Sequence, residues 1–593
     1  MYFLKQISET ISDAIASLYG DEAISIPPVI EQTKKVFEGD FTLVVFPLLR
    51  FSKNKPEETA SQIGDYLIEK SSFFSSYNVV KGFLNIQLTH SYWGSIVRNW
   101  FLDDDFGFIT KGSGRLFMVE YSSPNTNKPL HLGHLRNIFL GDSVANLLKA
   151  SGHKVVKTQI INDRGIHICK SMVAWIKYGN NETPKSSNIK GDHFVGKYYV
   201  AFDKVYKKEI NELVNNGYDI ELAKKESPIF KEAQEMLLKW EKGDENVKNL
   251  WVKMNSWVYE GFEKTYESMG VDFDKLYYES DTYSLGKTVV ELGLDSEIFY
   301  KQEDDSIWCD LSDDKMDDKL LLRSDGTSVY MTQDIGTAVQ RFEDYPNLSG
   351  IVYTVGNEQN HHFKVLFKIL SKLNYSWSKE CYHLSYGMVE LPEGKMKSRE
   401  GTVVDADDLI NTVINEAKIL TSERGHLEGL NDSQIESLCT DIGLSGLKYY
   451  LLKVDPKRKM MFDPKESIDL NGHTGPFIQY GYARIQSLLN KRKPLSDYVF
   501  EEVSFQNQEL ELIKSISLFP EIIQQAANEL SPAVLANYLF SLVKAYNSFY
   551  QSCPIIKEEN ENTAEFRLQI SSLTSNVIQK GMSILGIKVP ERM

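Results

Sequence analysis

The feature that most constrains the fold of this chain is a loop at residues 122–137, SSPNTNKPLHLGHLRN, between two apolar segments. Residues 116–121 before it are apolar enough for a buried strand. Residues 138–148 after it have the apolar spacing of a helix that packs on a sheet. Two prolines in the loop prevent either element from running through it. The sequence therefore predicts a strand, a loop and the beginning of a helix over residues 116–148.

The predicted helix start has the chemistry of an anion site. It offers unpaired backbone N–H groups and the positive end of the helix dipole, and Gly133 allows a flat ligand to lie close to the backbone. His131 and His134 are three residues apart, so both rings fall on one side of the first turn and can donate hydrogen bonds to a phosphate. A pair of surface or core histidines is the alternative interpretation. Metal binding ranks lower, because no third His, Cys or carboxylate stands nearby at ligand spacing.

A second segment far downstream, ELPEGKMKSREGT at residues 390–402, completes a pattern with the first. Together the two segments resemble the HIGH and KMSKS signatures of class I aminoacyl-tRNA synthetases. The residues that flank both motifs, and the final segment GIKVPERM at residues 586–593, resemble the arginyl-tRNA synthetase family in particular. The resemblance extends from about residue 35 to the end of the chain.

This resemblance implies an α/β multidomain protein: a Rossmann-like class I synthetase catalytic core, an α/β N-terminal domain and an all-helical C-terminal domain. The expected N-terminal domain, at residues 1–112, contacts tRNA. The expected catalytic domain covers residues 113–405 and contains a helical insertion at about residues 170–275. A helical connecting region at residues 406–465 and a helical anticodon-binding domain at residues 466–593 follow it. From the residues alone, the N-terminal part is equally an appendage without RNA contact. Within the core, residues 320–330 predict two strands joined by a tight Asp-Gly turn.

Composition adds limits on location and partners. The five cysteines are scattered without a Cys-x-x-Cys pair, which fits a reducing cytoplasm and argues against structural zinc. The N-terminus lacks the pattern of a signal peptide and no run of about 20 apolar residues exists, so we expect a cytoplasmic protein with no membrane partner. The net charge of −16 argues against nucleic acid as a partner. It does not describe local patches, however, and an acidic protein can carry a basic groove.

The resemblance implies the reaction as well. The enzyme would be an arginine–tRNA ligase, which activates L-arginine with ATP to arginyl-adenylate and transfers arginine to the 3′-terminal adenosine of tRNA(Arg). Mg²⁺ would be carried by the phosphates, with no metal site built from protein ligands, and the chain is expected to act as a monomer. Two alternatives are another HIGH-type nucleotidyltransferase and a non-catalytic, synthetase-like RNA-binding protein.

The residues matched to the ATP site are those of the two motifs. The expected catalytic residues are His131, His134, Lys128 and Lys395. The expected ATP-binding set is His131, Gly133, His134, Lys128, Lys395, Met396, Lys397, Ser398 and Arg399. The second motif departs from the common pattern, because Ser398 stands where a lysine is usual. In arginyl enzymes a lysine before the first motif can substitute, and Lys128 occupies that position.

Recognition of arginine needs carboxylates that pair with a planar guanidinium and an aromatic face on which it can stack. The residues placed by resemblance are Glu120, Asn125, His131, Tyr330, Asp334 and Gln359. Glu120 and Asp334 are the expected carboxylates and Tyr330 the expected ring, while Asn125 and Gln359 are expected polar partners. Taken singly, each is equally a helix cap, a surface acid or a core tyrosine.

Overall fold

The computed structural model describes residues 2–34, 36–110, 112, 114–390, 404–424, 429–498 and 504–593. Its N-terminal module is a four-stranded antiparallel sheet in the order β1-β2-β4-β3, flanked by helices. The bounds of its elements are α1 (Tyr2–Tyr19), β1 (Ile30–Gln32), β2 (Phe41–Val44), α2 (Leu49–Ser52), α3 (Pro56–Lys70), β3 (Phe74–Val80), β4 (Phe83–Leu88) and α4 (His90–Phe101).

A five-stranded parallel sheet lies at the centre of the next part, in the order β12-β11-β5-β6-β7. The bounds of the elements are β5 (Leu116–Glu120), α5 (Leu132–Ala150), β6 (Lys154–Ile161), α6 (Ile166–Tyr178), α7 (Pro184–Ser187), α8 (Gly191–Asn215), α9 (Ile220–Glu226), α10 (Pro228–Glu241), α11 (Glu245–Met269), β7 (Lys275–Tyr278), α12 (Glu279–Thr282), α13 (Leu285–Asp295), β8 (Phe299–Lys301), β9 (Ile307–Cys309), β10 (Lys319–Leu322), α14 (Tyr330–Asp344), β11 (Leu348–Gly356), α15 (Asn360–Lys372), β12 (Cys381–Tyr386) and β13 (Val389–Glu390). The strand–loop–helix prediction is confirmed by β5 and α5.

The strand order identifies where a ligand binds. The first strand of the sheet, β5, has β6 on one side and β11 on the other, so the direction of winding reverses between β5 and β11. In open parallel sheets, ligands bind outside the carboxyl ends of the strands at such a switch point. Glu120 ends β5, Gly356 ends β11, and α5 begins in the loop beyond β5.

The structure corrects the hairpin predicted at residues 320–330. Its first arm, β10, pairs with β9 instead of with its own return strand. After the turn, the chain pairs back only briefly: the Thr327 carbonyl accepts from Arg323 N at 3.0 Å, and Ser328 forms a bridge to Leu322. The return arm is this short because α14 already begins at Tyr330. The helices predicted between β6 and β7, in contrast, are present as α7–α11.

Among its described residues, the C-terminal part is helical except for one short strand, β14, which pairs with β13 in parallel. Its elements are α16 (Ala406–Arg424), α17 (Asp432–Leu452), β14 (Met460–Met461), α18 (Pro464–Ser467), α19 (Gly475–Leu489), α20 (Asn507–Ser517), α21 (Phe519–Asn528), α22 (Pro532–Ser552) and α23 (Glu561–Ile584). The five cysteines are buried and unpaired. Among the helices described, none is both long enough and apolar enough to cross a membrane.

The helix that begins at the motif, α5, is anchored to this C-terminal part through its buried face. The Arg136 guanidinium, fully buried, donates to the carbonyls of Gly387 at 2.6 Å and Arg458 at 2.9 Å. Further along α5, Asp142 faces the turn at Gly586, where an added Cβ would lie 3.1 Å from the carboxylate. Gly586 has a φ of +68°, so an L side chain there would also strain the backbone. Buried contacts on the far side of α5 therefore hold the helix that carries the motif in place.

Candidate active site

The start of α5 is built around the two motif histidines. His131 is the N-cap residue, and its Nδ1 accepts a hydrogen bond from Gly133 N at 3.2 Å. The Nδ1 atom of His134 accepts from the backbone N of His131 at 3.1 Å. Because each Nδ1 is an acceptor, the proton of each neutral ring is on Nε2, and both rings are hydrogen-bond donors toward a ligand. The ring centroids are 3.8 Å apart, so the two donors form one cluster.

Electrostatics keep both rings neutral. Desolvation, with a contribution from the nearby Lys128 ammonium, lowers the pKa of His131 to about 4. Desolvation, followed by the neighbouring His131 and Lys128, holds the pKa of His134 well below its usual range. At neutral pH the histidines therefore present N–H groups without adding positive charge.

Lys128 supplies the charge that the histidines lack. Its ammonium acts on both rings, and burial lowers its pKa from the usual value. Within the part of the chain that the structure describes, no hydrogen bond or ion pair occupies it. Gly133 has a second role beside ligand approach, since an added Cβ would lie 3.0 Å from Cε1 of His131 and would crowd the ring.

Of the second motif segment, residues 390–402, the structure describes only Glu390. Lys395, Met396, Lys397, Ser398 and Arg399 lie outside the described residues. The residues that follow them return to the first motif, because the Val404 carbonyl accepts from Leu132 N at 3.1 Å and Ala406 N donates to the Leu130 carbonyl at 3.0 Å. His131 and Asp405 form the bridge between these two segments.

The loop between β5 and α5 is strained and held at several points. Ser122 and Ser123 have φ values of +71° and +46°, which are unusual for residues other than glycine and cluster at functional sites. Ser122 N donates to Oδ1 of Asn137 at 2.5 Å, and its hydroxyl lies 2.7 Å from the hydroxyl of Tyr266 on α11. The strained turn thus depends on α5 and on the inserted helices for its shape.

The residues expected to bind arginine lie at the same edge of the sheet, but their environments differ. Asp334 lies on the first turns of α14, and its Oδ2 is 2.6 Å from Nε2 of His362. Tyr330 is 77% exposed at the start of the same helix. Asn125 and Gln359 are also exposed, Asn125 next to Asn162 at the end of β6 and Gln359 just before α15.

The Glu120 carboxylate is already in contact with other protein groups, so it is less available to a substrate guanidinium than the sequence predicts. It is 6% exposed, and its Oε2 forms an ion pair with the Arg341 guanidinium, itself 1% exposed. The other oxygen, Oε1, lies 3.5 Å from the Ser123 hydroxyl and faces the strained loop. Oε1 is therefore the oxygen on the side of the loop, whereas Oε2 is taken up by Arg341.

One acidic residue in this region escapes prediction from the sequence. Glu279 directly follows β7, at the carboxyl end of a sheet strand. Burial raises its pKa to about 7, with nearby Arg164 lowering it and Asp163 and Asp334 raising it. The electrostatic effect of Asp334 on the Glu279 carboxyl indicates that the two carboxylates lie in the same region of the protein. Its position immediately after a strand is the signal that could have identified it.

Among the described residues, Asp192, His193 and Asp407 have ligand atoms within 4.8 Å of one another, close enough for a metal ion. The cation at this place is, however, the Lys190 ammonium. It lies 2.6 Å from Oδ2 of Asp407 and 3.1 Å from Oδ2 of Asp192. The chemistry of this group is therefore that of an ion-pair cluster.

Three family models match the chain. They are described as "tRNA synthetases class I (R), catalytic domain" over residues 99–463, "DALR anticodon binding domain" over residues 478–593, and "Arginyl tRNA synthetase N terminal domain" over residues 5–88. The matched spans cover both motifs, the N-terminal module and the C-terminal helices.

Curated relatives and solved structures agree with the family models. The chain is 54% identical over 574 residues to "Arginine--tRNA ligase" of Flavobacterium psychrophilum, with 95% of each chain covered. It is 52% identical over 595 residues to the protein of the same name from Bacteroides fragilis, with 99% of each covered. The fold is similar to that of Thermus thermophilus arginyl-tRNA synthetase, with a TM-score of 0.80 at 23% identity over 99% of this chain and 100% of that one.

Proposed function

The chain belongs to the class I arginyl-tRNA synthetases, and we propose that it activates L-arginine with ATP and transfers arginine to the 3′-terminal adenosine of tRNA(Arg). The observation that carries this proposal is the meeting of two sites at one edge of the sheet. Neutral histidine donors at the start of α5 suit a triphosphate, and a pair of carboxylates, Glu279 and Asp334, suits a guanidinium. We propose a monomer that acts in the cytoplasm.

In the proposed first step, the arginine carboxylate attacks the α-phosphate of ATP. The products are arginyl-adenylate and pyrophosphate, which is the leaving group. This step needs no protein nucleophile. It needs positioning of the two reactants and donors directed at the phosphate oxygens. We assign that role to the Nε2–H groups of His131 and His134, to the N–H groups around Gly133, and to the Lys128 ammonium. Mg²⁺ bound to the phosphates would neutralise part of their charge.

The second motif completes the proposed ATP site. We assign Lys395 and Lys397 to the phosphates, and Met396, Ser398 and Arg399 to the same binding loop. These five assignments rest on the sequence pattern. The contact of Val404 with Leu132 supports them, because it brings the chain that follows the motif to the helix start.

The proposed arginine pocket lies between β5, β7 and α14. We assign the guanidinium to Asp334 and Glu279, with Tyr330 as its stacking partner. The α-ammonium and carboxylate of arginine are assigned to Asn125, Gln359, His131 and Oε1 of Glu120. Asp334 is held by His362, so its carboxylate is oriented before arginine arrives.

In the proposed second step, the 2′-hydroxyl of the terminal adenosine attacks the adenylate carbonyl and AMP leaves. We assign tRNA binding to residues 1–112 and 466–593, joined to the core of residues 113–405 through residues 406–465. A groove on the C-terminal helices supports this: the Arg484 guanidinium lies 5.0 Å from the Tyr480 ring centroid and 5.8 Å from that of Tyr550, next to Lys491. Cationic and aromatic groups together are suited to unpaired bases.

The function is tested by arginine-dependent ATP–pyrophosphate exchange, measured with and without tRNA(Arg), followed by transfer of labelled arginine to tRNA. We expect exchange and transfer with arginine only. Exchange with a different amino acid would show that the pocket is wrongly assigned. Binding of arginine and ATP with no exchange under either condition would favour the non-catalytic alternative.

Arginine affinity is expected to depend on pH through Glu279. In the free protein the pKa of this carboxyl is about 7, so at pH 6 it is mostly protonated. A guanidinium beside it favours the charged form, so binding lowers the pKa and releases a proton. The affinity should therefore rise by up to about tenfold per pH unit as pH increases toward 7 and level off above it. Isothermal titration calorimetry at pH 6.5, in buffers of different ionisation enthalpy, measures the released proton.

The matched variant is Glu279→Gln, which keeps the shape and removes the titration. Its arginine affinity should be weaker, and no proton should be released on binding at pH 6.5. A proton release equal to that of the wild type in this variant would assign the linkage to another group.

A further inference from the structure

A cluster of charged and polar side chains joins the inserted helices to the residues that follow the second motif. We call Lys190, His193, Thr265 and Asp407 the insertion cluster. The Asp407 carboxylate accepts from the Lys190 ammonium at 2.6 Å and from the Thr265 hydroxyl at 2.9 Å, and its Oδ2 lies 3.2 Å from Nε2 of His193. The Lys190 ammonium and the Thr265 hydroxyl thus donate to this carboxylate, with His193 at ion-pair distance, and these side chains are mostly buried.

The cluster fixes the first turn of α16 where it meets the first motif. Oδ1 of Asp405 accepts from Asp407 N at 2.9 Å and from Asp408 N at 3.2 Å, and its Oδ2 lies 3.3 Å from Nε2 of His193. The backbone of Asp405 in turn forms the bridge to His131. A continuous set of contacts therefore runs from the inserted helices through Asp407 and Asp405 to the residue that caps α5.

The same inserted helix also touches the loop that carries Lys128. Gly196 lies one turn after His193 on α8, and an added Cβ at this position would lie 3.0 Å from Cδ of Pro129 and 3.7 Å from Cα of Lys128. The neighbouring helix α11 contributes Tyr266, next to Thr265, to the strained turn at Ser122. The inserted helices thus contact the proposed ATP site on two sides.

We infer that the inserted helices are a positioning element for ATP, and that Asp407 is the positioning residue through which they act. This inference rests on the proposed function and deepens it. Asp407 does not reach the reacting atoms. It holds Asp405 against His131, and so sets the direction in which the N–H groups at the start of α5 point. In the absence of that hold, the α-phosphate would be misplaced relative to the arginine carboxylate.

His193 makes this positioning sensitive to pH. Its hydrogen bond with Asp407 raises its pKa, burial opposes the rise, Asp192 and Asp405 add to it, and Lys190 opposes it. Below that raised pKa, two cations, Lys190 and His193, face the carboxylates of the cluster. Above it, one of the two is lost, and the hold on Asp405 and Asp407 weakens.

The direct test compares Asp407→Asn with Asp408→Asn. Both replace an aspartate in the first turn of α16, but the Asp408 side chain is exposed and lies outside the cluster. In pyrophosphate exchange with tRNA present, Asp407→Asn should raise the KM for ATP roughly 10-fold or more, since small misplacements of reactants can cost about 100-fold. The KM for arginine should stay within about twofold, and Asp408→Asn should match the wild type.

The second arm follows pH. The KM for ATP of the wild type should rise about 10-fold as His193 loses its proton, which is the size expected for one hydrogen bond to a charged group. In His193→Gln, the KM for ATP should not change with pH. If Asp407→Asn does not fold, Thr265→Val removes one donor to the same carboxylate and should show the same effect on ATP. An unchanged KM for ATP in these variants, or an equal rise for ATP and arginine, overturns the inference. No exchange in the wild type would instead contradict the proposed function.

Discussion

Replacing Lys128 by alanine is expected to lower the rate of arginine activation by about 100-fold, with arginine affinity changed by less than about twofold. The second motif has Ser398 at the position where a lysine is usual, so the phosphates lack one cation there. Lys128 lies beside His131 and His134, whose neutral rings contribute donors but no charge. Removing its ammonium therefore leaves the developing charge on the phosphates with less stabilisation. Pre-steady-state adenylate formation and arginine titration measure the two quantities separately.

Two further variants make the Lys128 result specific. Lys128→Arg keeps a cation and should recover a large part of the rate. Lys149→Ala removes an exposed lysine from the last turn of α5 and should leave the rate unchanged. A rate near that of the wild type in Lys128→Ala would show that another group compensates for Ser398.

Much of the catalytic fold is predictable from the sequence, because its signals are local. The apolar run before residue 122, the two prolines and the apolar spacing after residue 137 together define a strand, a loop and a helix, as β5 and α5 show. The Asp-Gly turn near residue 325 is an equally local signal, and the first arm and the turn are present, but the predicted second strand is reduced to a bridge. The first arm, β10, pairs with β9 over more residues than with its own return segment. Because α14 begins at Tyr330, few residues are available for a second strand.

The parts of the site that depend on distant residues could not be predicted. Nothing near Glu120 in the sequence indicates that Arg341, on a helix from the other half of the sheet, occupies its Oε2. Nothing near Asp334 in the sequence indicates Glu279, which follows a distant strand and whose pKa Asp334 helps to raise. Both relations arise because parallel strands far apart in the chain end at one edge of the sheet.

The expected role of Glu120 therefore changes. As a carboxylate recognised from a motif, it is a candidate for pairing with the substrate guanidinium. As a buried carboxylate already paired with Arg341, it is first a structural partner inside the protein, and its Oε1, which accepts from the Ser123 hydroxyl, is proposed to meet the substrate from the loop side. We assign the guanidinium instead to Asp334, whose partly exposed carboxylate lies beside His362, and to Glu279.

Replacing Arg341 by methionine is expected to destabilise the catalytic part by roughly 3–5 kcal/mol, because it leaves the Glu120 carboxylate buried without a partner. Arg341 is 1% exposed, and its guanidinium lies 5.1 Å from the Tyr277 ring centroid and 5.5 Å from that of Tyr353. Water cannot replace it there. Differential scanning calorimetry should show the transition of this part roughly 4–7 °C lower than in the wild type.

The pH dependence and a double variant separate this cause from a simple loss of packing. An unpaired buried carboxyl has a raised pKa, so its protonated form is favoured in the folded state and the deficit of Arg341→Met should be smaller at pH 5 than at pH 8. Arg341→Met with Glu120→Leu should recover most of the lost stability, because no charge stays buried. Arg115→Met, which breaks a surface pair with Glu380 at 3.3 Å, should cost no more than about 1 kcal/mol. A deficit that is independent of pH and persists in the double variant would mean that the packing of Arg341 on the two tyrosines, and not its charge, supports this edge of the sheet.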